Sequence, residues 1–264
     1  MKVVTLASGS KGNCTLIQTE QTRVLIDAGI NLGEIEEKLK LLGVSPNSID
    51  AILITHEHSD HIKNVGSFSK KYDCDVYAHI NEWNTLNEKI KNIGVLKRKA
   101  FKDKTFYIKD LTINWFELSH DANMCVGYSF YNQNVKVSIA TDLGYCPEEV
   151  MNNLKDSNLL ILEANHDEKL LLNNPRYSSL LKKRILSKKG HLSNYACANV
   201  LINIYSSRLK QVILGHLSEE NNSPDLAFSV VKNEIAKAGI IEGKHIFIDV
   251  ASQHNIGHIF DITN

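Results

Sequence analysis

Residues 51–61 read Ala-Ile-Leu-Ile-Thr-His-Glu-His-Ser-Asp-His: an unbroken apolar run, Ala51-Ile52-Leu53-Ile54, and then His56, His58, Asp60 and His61 in the spacing H-x-H-x-D-H. A short apolar run fits a strand buried on both faces. A strand that ends in imidazoles and a carboxylate mounts potential metal ligands on a loop held by a rigid element. Imidazole nitrogen suits Zn, Fe or Mn, and the carboxylate adds a hard oxygen donor. A solvated loop that is merely rich in histidine has no need of four such donors within six residues.

Outward from this stretch the chain alternates. Strands are expected at 3–7, 15–18, 23–27, 51–55, 76–79, 105–108, 111–118, 126–131, 135–140, 159–163, 211–215 and 246–250. Helices are expected at 32–42, 62–72, 82–93, 147–154, 176–187, 194–206 and 224–238. Early strands follow one another as meanders, whereas later ones alternate with helices. That order predicts an α/β (α+β) architecture of two mixed sheets covered by helices. No repeat, linker or composition shift divides the 264 residues, so a single domain spanning 1–264 is expected.

Bulk properties narrow the function classes. Lys+Arg and Asp+Glu are both 30, so overall charge gives no pull toward nucleic acid, although a local patch can still supply one. The longest apolar run is far short of a membrane span, and the N-terminal run is too short for a signal peptide. The five cysteines, at 14, 74, 125, 146 and 197, form no C-x-x-C pair, which suits reduced thiols and a cytoplasmic location.

Further polar residues close apolar strands in the manner of His56. His120 follows 112–118, Asp142 follows 135–140, Glu163 ends 159–163, and His216 follows 211–215. His191 lies in Gly190-His191-Leu192-Ser193, at the start of an expected helix. Singly, each is an ordinary structural residue; together with the 56–61 cluster they form a ligand inventory.

H-x-H-x-D-H followed in order by His120, Asp142 and His216 resembles the metallo-β-lactamase-fold hydrolases. The resemblance implies a four-layer αββα sandwich carrying two divalent metal ions, with Zn the first choice and Mn or Fe as substitutes. It assigns His56, His58 and His120 to one ion, Asp60, His61 and His216 to the other, and Asp142 as the bridge. In such a site a metal-bridging hydroxide, oriented by Asp60, is the nucleophile. The bridging position holds Asp142 rather than a thiolate, which disfavours a true β-lactamase. Glu163 and His191 resemble the pair that helps protonate the leaving oxygen in the ribonuclease Z branch, so Asp60, Glu163 and His191 are the catalytic candidates. Only 22 positions separate His120 from Asp142, too few for that branch's tRNA-gripping arm.

The segments Ser8-Gly9-Ser10-Lys11-Gly12-Asn13 and Gly215-His216-Leu217-Ser218-Glu219-Glu220-Asn221-Asn222 are most similar to the small YycJ/WalJ-type single-domain nucleases. The implied activity is phosphodiester hydrolysis, specifically a 5′→3′ exonuclease acting on DNA, with a nucleic acid substrate and no membrane partner. Ser8, Ser10 and Asn13 are candidates for a substrate phosphate. Arg176, Lys182, Lys183, Arg184, Lys188 and Lys189 form a basic run before His191, either a solvated helix face or a phosphate track. The rival readings are a cyclic or small-molecule phosphodiesterase and, behind it, a glyoxalase-II-like thioester or lactone hydrolase.

Overall fold

In the computed structural model, which describes residues 1–262, the first sheet is built around the strand that precedes the histidine cluster. Its strands are β1 (Lys2–Ala7), β2 (Cys14–Gln18), β3 (Arg23–Ile26), β4 (Ala51–Leu53), β5 (Asp75–His79), β6 (Arg98–Phe101) and the late β14 (Phe260–Asp261). The order is β14-β1-β2-β3-β4-β5-β6, antiparallel through the β1–β3 meander and parallel from β3 to β6. Helices α1 (Leu32–Leu41), α2 (Ser59–Ile62), α3 (Val65–Tyr72) and α4 (Trp83–Lys89) connect these strands. Every residue of β4 is fully buried, as a central parallel strand flanked by β3 and β5 requires.

The second sheet runs β13-β12-β11-β10-β9-β8-β7. It comprises β7 (Thr105–Ile108), β8 (Leu111–Glu117), β9 (Val126–Asn132), β10 (Val135–Ala140), β11 (Leu159–Glu163), β12 (Gln211–Gly215) and β13 (Phe247–Val250). The pairs β7–β8 and β9–β10 are antiparallel, and β10 through β13 are parallel. Its helices are α5 (Glu148–Leu154), α6 (Glu168–Asn173), α7 (Ser179–Ile185), α8 (Asn194–Ile204) and α9 (Pro224–Lys237). No helix among the described residues is long and apolar enough to cross a membrane.

By its contacts the chain divides into two compact units. One holds Met1–Asn114, Ala122–Met124 and the described residues from Ser252 onward; the other holds Trp115–Asp121 and Cys125–Ala251. The core of the first packs Leu25, Ile52 and Ile54 with Ile35 and Leu39 of α1 and Phe68 of α3.

Several elements differ from expectation for local reasons. The expected helix at 62–72 is two helices, α2 and α3, separated by Lys63 and Asn64. The helix at 82–93 stops at Lys89, and Asn92 takes a positive φ of 73°. The helix at 176–187 begins at Ser179, where Ser178 Oγ accepts from Leu181 N and fixes the start. Strand β6 was not expected, since Arg98-Lys99-Ala100 carries two cations; it is the outer strand of its sheet, where charge guards an exposed edge. Helix α6 is short and starts on the Asp167 cap, and β14 is a two-residue edge pairing with β1; neither is long enough to leave a periodic pattern.

Candidate active site

The histidine cluster of the first unit is built on the ends of β3 and β4. These strands are parallel and paired Ile26 to Leu53, so the residues leaving both ends lie side by side. Asp27 leaves β3 in the left-handed region, φ 61°. Its Oδ1 accepts from Thr55 N at 2.9 Å, and its Oδ2 accepts from Thr55 Oγ1 at 2.8 Å. The same Oδ2 lies 2.7 Å from His61 Nδ1. That contact holds the proton on Nδ1 and leaves the Nε2 lone pair as the donor for a cation. Thr55 Oγ1 is 3.1 Å from His56 Nδ1. The His56 ring centroid lies 4.5 Å from His58 and 4.1 Å from His61, and both His56 and His61 are wholly buried. His56 and His61, whose Nδ1 atoms are engaged by neighbours, fit a borderline divalent ion through Nε2.

The 9–13 turn braces this cluster. Asn13 N donates to Asp60 O at 2.8 Å, and Asn13 Nδ2 lies 3.1 Å from His61 Nε2 and 3.4 Å from Asp60 Oδ2. Asn13 is therefore a neighbour of any ion held at His61. Ser8 is buried with its N–H donated to Ser252 O, whereas Ser10 is exposed. Gly29 completes the brace: a Cβ there would sit 1.6 Å from Asp60 O. Only glycine lets the two backbones approach this closely.

In the second unit, β10, β11 and β12 are parallel neighbours, with Ala140 opposite Leu162 and Glu163 opposite Gly215. Their C-terminal ends bring Asp142, Glu163 and His216 together. Asp142 and His216 leave their strands at positive φ, 64° and 55°. Asp142 Oδ1 lies 3.4 Å from His216 Nε2, 3.6 Å from His191 Nδ1 and 3.9 Å from His120 Nε2. Asp142, Glu163, His191 and His216 each offer a ligand atom within 4.8 Å of the others. His120 shares its Nδ1 with Gly190 O at 3.1 Å. Gly190 is needed there, since a Cβ would meet Ile185 O at 2.0 Å.

Glu163 is the hub of this cluster. Its Oε1 lies 2.8 Å from His191 Nδ1 and 2.9 Å from His216 Nδ1, while Oε2 accepts from Leu143 N and Leu192 N at 3.1 and 3.0 Å. Burial alone would raise its pKa, but His191 and the two imidazole hydrogen bonds overcome this and pull it down to about 2. Burial likewise works against the His191 cation, yet the Glu163 carboxylate outweighs it and the pKa is raised. His120 is shifted the other way, lowered chiefly by burial. The arrangement can hold a metal through His216 Nε2 and Asp142, and can keep a proton on His191.

The basic run before His191 is partly neutralised. Arg176 pairs with Glu220, Arg184 pairs with Asp121, and Lys182 Nζ donates to Leu172 O at 2.7 Å. Two roles went unread in the sequence: Asp27 as the partner of His61, and Glu163 as the partner of His216 as well as His191. Asp27 closes an apolar strand just as Asp142 does, and that was the available signal. Asp27→Asn is expected to weaken metal binding about 10–100-fold, because the His61 tautomer is no longer enforced. Competition of Zn between the protein and a chromophoric chelator measures this.

A family model described as the β-lactamase superfamily domain matches residues 22–216. The chain is 36% identical over 242 residues to Exodeoxyribonuclease YycJ of Bacillus anthracis, covering 90% of each protein. It is 38% identical over 241 residues to Exodeoxyribonuclease WalJ of Streptococcus pneumoniae, covering 89% of this chain and 88% of that one. Among solved structures, the metallo-β-lactamase fold protein YhfI from Bacillus subtilis aligns with a TM-score of 0.72 at 17% identity, over 97% of this chain and 98% of that one. At that identity the likeness speaks for the fold.

Proposed function

We propose, from the premise that the chain belongs to the β-lactamase superfamily, that it is a metal-dependent exodeoxyribonuclease shortening DNA in the 5′→3′ direction. The observation that carries the phosphodiester reading is the Glu163–His191 pair, 2.8 Å apart beside Asp142 and His216. Phosphodiester cleavage releases a strongly basic alkoxide that needs a proton, whereas a thioester releases a thiolate that leaves unaided. The two exodeoxyribonucleases, alike over nearly the whole chain, support DNA as the substrate.

The metal ligands in this reading are His56, His58, Asp60, His61, His120, Asp142 and His216, with residues 1–264 as one catalytic domain. The donor set of imidazole nitrogens and carboxylate oxygens fits two divalent ions, with Zn first and Mn or Fe as alternatives. Such ions supply an acidified water and charge neutralisation on the phosphoryl oxygens. Asp60 orients the attacking water toward phosphorus. As the P–O3′ bond breaks, His191 donates its proton to the 3′ oxygen, and Glu163 holds the imidazole in place through Nδ1. A DNA substrate and five free thiols suit a cytoplasmic setting.

A panel of 5′-labelled single- and double-stranded DNA, RNA, bis-p-nitrophenyl phosphate and a thioester, assayed with Zn and with Mn, tests the proposal. Mononucleotide release from the 5′ end of DNA is the expected result. Turnover of the thioester alone would overturn it.

A further inference from the structure

Two adjoining cavities of the first unit run along α3. One, of about 460 Å³, is lined by Glu57, Ser59, Lys63, Gly66, Lys89 and Lys91, among others. The next, of about 440 Å³, shares Asn92 and adds Lys70 and Lys97. The groove thus opens at Glu57 and Ser59, inside the histidine loop, and leads away from it between α3 and the 89–97 segment. Its walls are set by direct backbone packing: a Cβ on Gly66 would sit 2.0 Å from Lys91 O.

The charge in this groove is unusual for a chain whose acidic and basic residues balance at 30 each. Five lysines line it, against the acids Glu57 and Asp73. Lys97 lies 2.8 Å from Asp73, and Lys89 lies 3.9 Å from Glu57 while donating to the Glu57 carbonyl at 3.3 Å. Lys63, Lys70 and Lys91 are exposed, and among the described residues none of the three has a carboxylate within ion-pair distance. Unneutralised lysines in a groove that starts at a metal-ligand loop match a ligand carrying regularly spaced negative charge. The eight residues of α3 span about 12 Å, room for a few successive phosphates. Among the described residues no aromatic side chain lines either cavity to stack on a base, so contact through the backbone rather than through sequence is what the lining offers.

We infer that this groove is the track for the phosphate backbone of the DNA strand beyond the bond being cut, with Lys63, Lys70 and Lys91 as its contacts. The inference rests on the nuclease reading above.

The test is the triple variant Lys63→Ala, Lys70→Ala, Lys91→Ala, with the matching Lys→Arg triple as control. A labelled, 5′-phosphorylated single-stranded oligonucleotide is titrated across a salt series, and bis-p-nitrophenyl phosphate serves as a substrate too small to use the track. With three phosphate contacts removed, the slope of log affinity against log salt should become shallower by about 2, and KM for the oligonucleotide should rise at least about tenfold at moderate salt. Turnover of the small diester and the melting temperature should not change, and the arginine triple should behave like wild type. An alanine triple with wild-type KM and salt slope overturns the track, and so does one that loses the small diester equally. A wild-type protein that neither binds nor degrades DNA defeats the nuclease reading instead.

Discussion

Asp142→Asn is expected to lower kcat/KM on DNA by at least about 10³-fold and to leave fewer than two equivalents of bound metal. The argument begins with the backbone. Asp142 sits at φ 64°, a region that alanine tolerates poorly and asparagine well. Asparagine is therefore compatible with the backbone here, and the substitution removes the charge. Asp142 is 2% exposed, and its Oδ1 lies within 4 Å of nitrogens of His120, His191 and His216. Little solvent screens it there, so in the proposed site it would be the negative charge that balances the bound cations. A neutral amide offers one weak oxygen and turns a donor toward imidazoles that should face a metal. Elemental analysis of the purified variant, with its melting temperature as a folding control, reads both effects. Two full equivalents at wild-type rate would remove Asp142 from the metal site.

The chemistry of the site was legible in the sequence wherever an apolar strand ended in a polar side chain. Parallel neighbours align their C-terminal ends, so β10, β11 and β12 necessarily bring Asp142, Glu163 and the His216 loop together. The same rule placed His56 to His61 beyond β4. Asp27 obeys it too, but no histidine lies near it in sequence, and its partner His61 is 34 residues away. Its role depends on the pairing of β3 with β4, a tertiary fact. Asn13 is a candidate phosphate contact by its loop chemistry and by the resemblance of the 8–13 segment; its side-chain amide lies beside Asp60 and His61, a placement that also depends on tertiary structure. The segments least legible in the sequence were at the sheet edges. Strands β6 and β14 are held by one neighbour each, so their residues need not be apolar and leave no pattern.

His191→Ala is expected to retain both metals while losing about 10²–10⁴-fold in rate on DNA, and to lose far less on bis-p-nitrophenyl phosphate. The contrast follows from the leaving group. A deoxyribose 3′ oxygen departs as a strong base and needs a proton as the bond breaks; p-nitrophenolate departs without one. A residue that only shaped the pocket would slow both substrates alike, so the ratio of the two losses reports proton donation directly. Glu163→Gln makes a different prediction on the same scale. The Glu163 carboxylate accepts from two backbone N–H groups and lies within hydrogen-bond distance of two imidazole Nδ1 atoms, with no exposure to solvent. A glutamine amide must face at least one of those four with a donor, leaving a buried clash or forcing the wrong tautomer on His191 or His216. The variant should therefore lose rate on both substrates and bind metal more weakly, since His216 is disturbed as well as His191. In the double variant the two losses should fall well short of multiplying on DNA, because the orienting partner has nothing to orient once His191 is gone. Fully multiplicative losses would mean that Glu163 acts through His216 alone and that the proton for the leaving oxygen comes from elsewhere.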